Sequence, residues 1–110
     1  MNLTEKKCVP CEGGVPPIKG DDIYTYLKEV DGMWEQIDET KIKCQFLFDD
    51  FVQTMAFVNQ VADLAEKENH HPDMHVYYGR VVVELWTHSI GGLSENDFIL
   101  AAKIEKFNKN

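Results

Sequence analysis

All four histidines of the chain, His70, His71, His75 and His88, fall in one stretch, ENHHPDMHVYYGRVVVELWTH, residues 68–88. Imidazole is the side chain best suited to giving and taking protons near neutral pH, its unperturbed pKa being ~6.5. Several imidazoles beside a carboxylate can act as acid, base and orienting group. They can equally hold a metal. Spacing speaks against the metal, because neighbours such as His70 and His71 usually point different ways and no H-E-x-x-H pair is present. Whether either chemistry is available depends on whether folding brings the rings together.

The stretch reads as a hairpin. Met74, Val76 and Tyr78 alternate with Asp73, His75 and Tyr77, and Val81, Val83 and Leu85 alternate with Val82, Glu84 and Trp86. With Gly79-Arg80 as the two-residue loop, Val76 faces Val83, His75 faces Glu84 and His71 faces His88. A one-residue slip sets apolar residues against polar ones and is excluded by parity. A two-residue slip passes the same test and sets His88 opposite Asn69. In either register His70, His71 and His88 lie near one end of the hairpin, whereas His75 reads as a solvent-facing residue beside Glu84. The segment Leu93-Ser94-Glu95-Asn96-Asp97 follows, with Ser94 and Asp97 at the spacing of an acidic capping box. Asp97 thus reads first as a helix cap, and as a carboxylate within reach of the imidazoles.

The elements that must position these residues follow from periodicity. Residues 1–20, rich in Gly and Pro, read as an irregular arm, and residues 21–110 as a single domain. Asp21 and Asp22 can cap a short helix to about Val30, which Gly32 stops. Residues 33–37 and 41–48 read as a strand pair around Asp38-Glu39-Thr40. A long helix follows Asp49 and Asp50 to about Glu68, with Phe51, Met55, Val58, Ala62 and Ala65 as its apolar stripe, widened by Val52, Val61 and Leu64. A last helix runs from Ser94 to about Phe107. The order αββαββα implies an α+β fold, a four-stranded antiparallel sheet with three helices on one face.

Composition bounds the function. The chain has 110 residues, 44% hydrophobic and 27% charged, with a net charge of −8. That field repels phosphate backbones, so no nucleic-acid partner is expected. No apolar run is long enough to span a bilayer, and MNLTEKKCVP lacks the apolar core of a signal peptide, so no membrane role and a cytoplasmic location are expected. Three cysteines fit a reducing compartment. Cys8 and Cys11 form a lone C-V-P-C, half a zinc site at most, and read as free thiols in the arm. Cys44 reads as a small apolar residue in a strand.

His70-His71-Pro72, then Thr87-His88 one hairpin later, then Gly92-Leu93-Ser94 with Asp97, resemble the signature of the pterin-4a-carbinolamine dehydratases. The resemblance covers roughly residues 21–107, and C-V-P-C-E-G-G looks like the leader of some bacterial and plant-type members. It implies dehydration of 4a-hydroxytetrahydropterin to quinonoid dihydropterin in tetrahydrobiopterin recycling, with no metal and no organic cofactor. It further implies a homodimer or homotetramer. By the same resemblance His70, His71 and His88 are catalytic: His70 and His88 as general acids at the leaving hydroxyl, His71 binding the pterin and assisting as base. Asp97 and Glu66 support them, and Trp34 is a weaker candidate for stacking on the substrate, while Trp86 reads as a packing or interface residue. The alternative reading is a non-catalytic protein-binding or assembly factor on the same fold.

Overall fold

The computed structural model describes residues 1–10 and 16–108, so Cys11 lies outside the described residues. Seven principal elements follow in the expected order: α1 (Asp21–Leu27), β1 (Glu35–Ile37), β2 (Lys41–Leu47), α2 (Phe51–Glu68), β3 (Asp73–Tyr77), β4 (Arg80–Leu85) and α3 (Glu95–Glu105). The strands form one antiparallel sheet in the order β1-β2-β4-β3. The α+β architecture read from the sequence is therefore the observed one.

Strand alternation builds the core. Ile42, Cys44 and Phe46 of β2 pair with Leu85, Val83 and Val81 of β4, and all six are buried. Burial of one such side chain stabilises by roughly 1.5–3 kcal/mol. Helix α3 presses on the same side and is enclosed along most of its length, from Asn96 to Ala102 and at Ile104. The expected helix start at Ser94 is its N-cap, and a 3₁₀ turn at Lys106–Asn108 finishes it.

Three expectations are amended. The hairpin loop is Tyr78-Gly79 rather than Gly79-Arg80, and Met74 faces Val83, His75 faces Val82 and Val76 faces Val81. This is the two-residue slip that parity allowed. The turn is pinned from outside: Phe48 N donates to Gly79 O at 2.9 Å, and Thr54 Oγ1 lies 2.8 Å from Tyr78 O. A Cβ at Gly79 would sit 2.8 Å from the carbonyl oxygen of Phe48, so this position needs glycine for close approach.

The long helix exists as read, but the face it buries is rotated from the centre of the stripe read for it. Asp50 caps it, accepting from Gln53 N at 2.8 Å, and Thr54, Phe57, Val61 and Ala65 are the buried residues. Phe51 and Val52, placed on the core stripe by sequence, are exposed at 47% and 79%. Val61 and Ala65 of the expected stripe are buried, Val58 and Leu64 pack against the core, and Thr54 and Phe57, which were not on it, complete the buried face.

Third, helix α1 ends at Leu27, short of Val30, and the next residues close by tighter bonds, Glu29 N to Tyr26 O at 2.9 Å and Val30 N to Leu27 O at 3.3 Å. Its N-cap is Gly20, with Asp21 and Asp22 inside the first turn and no side-chain cap bond. Within the stretch read as irregular, Leu3–Glu5 forms a 3₁₀ turn, with Leu3 buried in the core. Ile18 bridges Leu93, its amide donating to Leu93 O at 2.8 Å. Among the described residues no helix is long and apolar enough to cross a membrane.

Candidate functional site

The site forms where α2 ends, β4 ends and α3 begins. Asn69 closes α2 in the left-handed conformation, φ 54° and ψ 40°, its amide donating to Ala65 O. The His70 amide also reaches Ala65 O, at 3.2 Å. The reversal sends His70 toward the first turn of α3. Its side chain is 11% exposed, and Nε2 lies 2.6 Å from Asp97 Oδ1.

Asp97 is fully buried. Its second oxygen, Oδ2, accepts from the Ser94 amide at 2.9 Å and from Thr87 Oγ1 at 2.8 Å. Ser94 N is the N-cap amide, so this carboxylate caps α3 while also holding an imidazole. A carboxylate oxygen only accepts, so Nε2 of His70 carries the proton in this bond and Nδ1 is the free nitrogen. Thr87 is itself buried, and its Oγ1 lies 2.8 Å from Ser94 Oγ.

His88 stands on a small loop tied at its base. Thr87 N donates to Gly92 O at 2.7 Å and Gly92 N to Thr87 O at 3.4 Å, enclosing the 3₁₀ turn His88–Ile90. Gly91 supplies the positive φ, 65°, that lets the loop return. The His88 ring packs on the indole of Trp86 with centroids 4.0 Å apart, and Trp86 Nε1 donates to Asp73 Oδ2 at 3.1 Å. Trp86, read from sequence as a packing or interface residue, is thus the platform for an imidazole.

His71 turns away from His70. Its Nε2 lies 2.6 Å from Glu66 Oε2, and the two side chains are 55% and 79% exposed. His70, His71 and His88 nevertheless line one cavity of about 350 Å³, together with Val9, Pro10, Asn69, Thr87, Ser89 and Asn96. That volume lies within the usual range for small-molecule sites. Cavities of about 410 Å³ beside α2 and about 420 Å³ on the outer face of the sheet have no histidine in their walls.

Two residues singled out by sequence lie elsewhere. His75, on β3, approaches Glu84 Oε2 at 3.4 Å by a diagonal across the sheet. Trp34 is buried in the core, with Nε1 donating to Glu105 Oε2 at 3.2 Å and its ring edge-on to Phe46. It borders a separate cavity of about 80 Å³. Among the described residues no three His, Cys, Asp or Glu side chains converge as metal ligands would.

Sequence reasoning assigned no role to Thr87, Asn96, Val9 or Pro10. Thr87 had a signal, since it precedes His88 within the quoted Thr-His pair. Asn96 had none beyond standing next to Asp97, and the arm residues had none.

Comparison with known proteins agrees with the fold and extends it. A family model described as pterin 4 alpha carbinolamine dehydratase matches residues 16–107. A protein of Rickettsia bellii, provisionally named a pterin-4-alpha-carbinolamine dehydratase, is 47% identical over 94% of this chain and 92% of its own length. A Nitrosomonas europaea protein with the same provisional name is 50% identical over 99% of this chain and 96% of its own. The crystal structure of a transcriptional coactivator/pterin dehydratase from Brucella melitensis superposes with a TM-score of 0.80 at 33% identity, covering 84% of this chain and 99% of that one. A pterin dehydratase-like protein identified as a RuBisCO assembly factor in the alpha-carboxysome shares the fold, with a TM-score of 0.61 at 24% identity over 70% of this chain and 90% of that one. Sequence identity along almost the whole chain, and a matching sheet and helix order, place this protein in the pterin 4 alpha carbinolamine dehydratase family.

Proposed function

We propose that this chain converts a 4a-hydroxytetrahydropterin to quinonoid dihydropterin and water by histidine acid–base catalysis, in the recycling of tetrahydrobiopterin. The bond between C4a and the hydroxyl oxygen breaks, and that oxygen takes a proton and leaves as water. N5 gives up its proton, and the electron pair left behind forms the C4a=N5 bond. Atoms balance without an oxidant, a reductant or any further reactant. One group must donate a proton while another accepts one.

The observation that carries this reading is His70 held by the buried Asp97 at 2.6 Å. With Nε2–H committed to Asp97, Nδ1 is the nitrogen left to serve the leaving hydroxyl, and it gives a proton there from the doubly protonated ring, whose charge the Asp97 carboxylate offsets. His88, on its indole platform, is the second acid in this reading. His71, more open to solvent and oriented by Glu66, binds the pterin and assists as base. Trp34, enclosed in the core, takes no part in the proposed site of this chain. Assembly as a homodimer or homotetramer goes with the family.

Stopped-flow absorbance with freshly formed 4a-carbinolamine tests the proposal. The expected result is acceleration over buffer, falling about 10²–10⁴-fold on His70→Ala or His88→Ala. No acceleration by the unaltered protein sinks the enzyme reading and favours a binding or assembly role. Undiminished activity in the double variant sinks the assignment of the histidines alone.

A further inference from the structure

Within residues 1–10 the chain is fastened to the domain at successive points. Leu3 is buried in the core. Lys6 Nζ lies 3.1 Å from Glu95 Oε2, an oxygen that also accepts from Tyr26 Oη at 2.9 Å. The Cys8 amide donates to Glu68 Oε1 at 2.9 Å, and the other oxygen of Glu68 takes Lys103 Nζ at 2.8 Å. Val9 is gripped at both of its backbone polar groups by one side chain. Its amide donates to Asn96 Oδ1 at 3.0 Å, and Asn96 Nδ2 donates to Val9 O at 2.6 Å.

That two-point amide pairing does for one residue what a neighbouring strand would do. Asn96 is 4% exposed, and its donor and acceptor, out of water, are satisfied by the arm. Asn96 also immediately precedes Asp97, so consecutive residues on the first turn of α3 hold the arm and His70. The held segment ends at the histidines: Val9 and Pro10 line the same cavity as His70, His71 and His88. Val9 is 64% exposed, an apolar surface beside an otherwise polar cleft. The matched family region begins at residue 16, so this segment lies outside it.

We propose that residues 8–10 form a strap belonging to the substrate site, an apolar wall against which a flat heterocycle is held, with Asn96 as the positioning residue that latches it. The identity of the heterocycle rests on the dehydratase reading; the latch does not. Since the proton-transfer groups are on the domain side, the strap acts on substrate affinity rather than on the chemical step. Loss of interactions made equally in ground and transition states raises KM and leaves kcat in place.

The test compares the unaltered protein with Asn96→Ala, and with Asn96→Asp, which keeps the acceptor for the Val9 amide but loses the donor to Val9 O. Amide hydrogen exchange reads the latch: Val9 should exchange at least about tenfold faster in Asn96→Ala, with the later amides of α3 still protected. Turnover reads the consequence: KM should rise about tenfold with kcat within about twofold, and Asn96→Asp should fall between. A released strap with unchanged KM overturns the proposal, as does a fall in kcat at constant KM, which would mean that Asn96 acts through Asp97. If the unaltered protein turns nothing over, the dehydratase reading falls, and exchange in the presence of biopterin, a stable oxidised pterin, judges the strap alone. Slowed exchange at Val9 as well as at His70 and His88 supports it. Slowing at the histidines alone, or nowhere, overturns it.

Discussion

Asp97 meets His70 Nε2 at 2.6 Å with one carboxylate oxygen and the N-cap amide of its own helix at 2.9 Å with the other. Capping and imidazole placement are therefore one arrangement, and neither can be altered alone.

Asp97→Asn exposes that coupling. Its amide nitrogen must face either the Ser94 amide, donor against donor, or His70 Nε2, which then has to surrender its proton to Nδ1. The first outcome loses the cap, about 0.5–2 kcal/mol of stability, and the second leaves His70 a neutral ring, a far weaker proton donor than the imidazolium that a carboxylate stabilises. Thermal unfolding together with stopped-flow turnover should show one loss or both, with the rate down about 10²-fold or more when the protonated ring has lost its carboxylate. Wild-type stability combined with wild-type rate would refute the coupling.

The described thiols should be inert in the folded protein. Burial first, then the charge of Glu68, pushes Cys8 up to about 12. Burial first, then the acids Asp31, Glu105 and Glu35, does the same for Cys44, to about 12. Only the thiolate is a good nucleophile, so alkylation by iodoacetamide at neutral pH should run at least ~100-fold slower than in the urea-unfolded chain. Fragment mass spectrometry separates Cys8 from Cys11 in their shared tryptic peptide. Rapid labelling of Cys8 would mean that its amide and thiol are not docked.

Acid should loosen the tie at Cys8. Burial alone would raise the Glu68 carboxyl, but the hydrogen bonds from Lys103 and the Cys8 amide, with the charges of Lys103 and Lys7, hold it below its ordinary value. A depressed carboxyl contributes stability that is complete above the unfolded value, ~4.3, and lost as pH falls through the folded one. The Cys8 amide resonance should accordingly titrate with a midpoint below ~4.3, and Glu68→Gln should remove that transition. A midpoint at or above the ordinary value would contradict the Lys103–Glu68–Cys8 arrangement.

Gly79→Ala tests the hairpin register. The new methyl would stand 2.8 Å from the Phe48 carbonyl oxygen, which is backbone and held by the Phe48–Gly79 hydrogen bond. Urea unfolding should report a loss of roughly 1–3 kcal/mol, the usual cost of overpacking. No loss would argue that the turn lies elsewhere.

The sequence carried the elements better than the faces they present. Apolar residues alternate at Ile42, Cys44, Phe46 and Phe48; the first three are buried on β2, while Phe48, just past the strand's end, is half-buried. In α2 the apolar band is wide, and periodicity alone could not say that Phe57 would join Val61 and Ala65 in the core while Phe51 and Val52 stay exposed. The hairpin showed the converse limit, since parity excludes odd slips and is blind to even ones. What chose the loop was contact with Phe48 and Thr54, residues far away in sequence. At the site, residue types pointed to the imidazoles and Asp97. The grip of Asn96 on Val9 joins positions 87 apart, which no local pattern can announce.

The sign of one torsion angle at Asn69 decides where the two adjacent imidazoles go. With φ at 54°, the chain doubles back as α2 stops, sending His70 inward to Asp97 and leaving His71 outward beside Glu66. A β-branched residue at position 69 resists that handedness. Such a chain would keep every group needed for acid–base work, yet point one of them at the wrong neighbour.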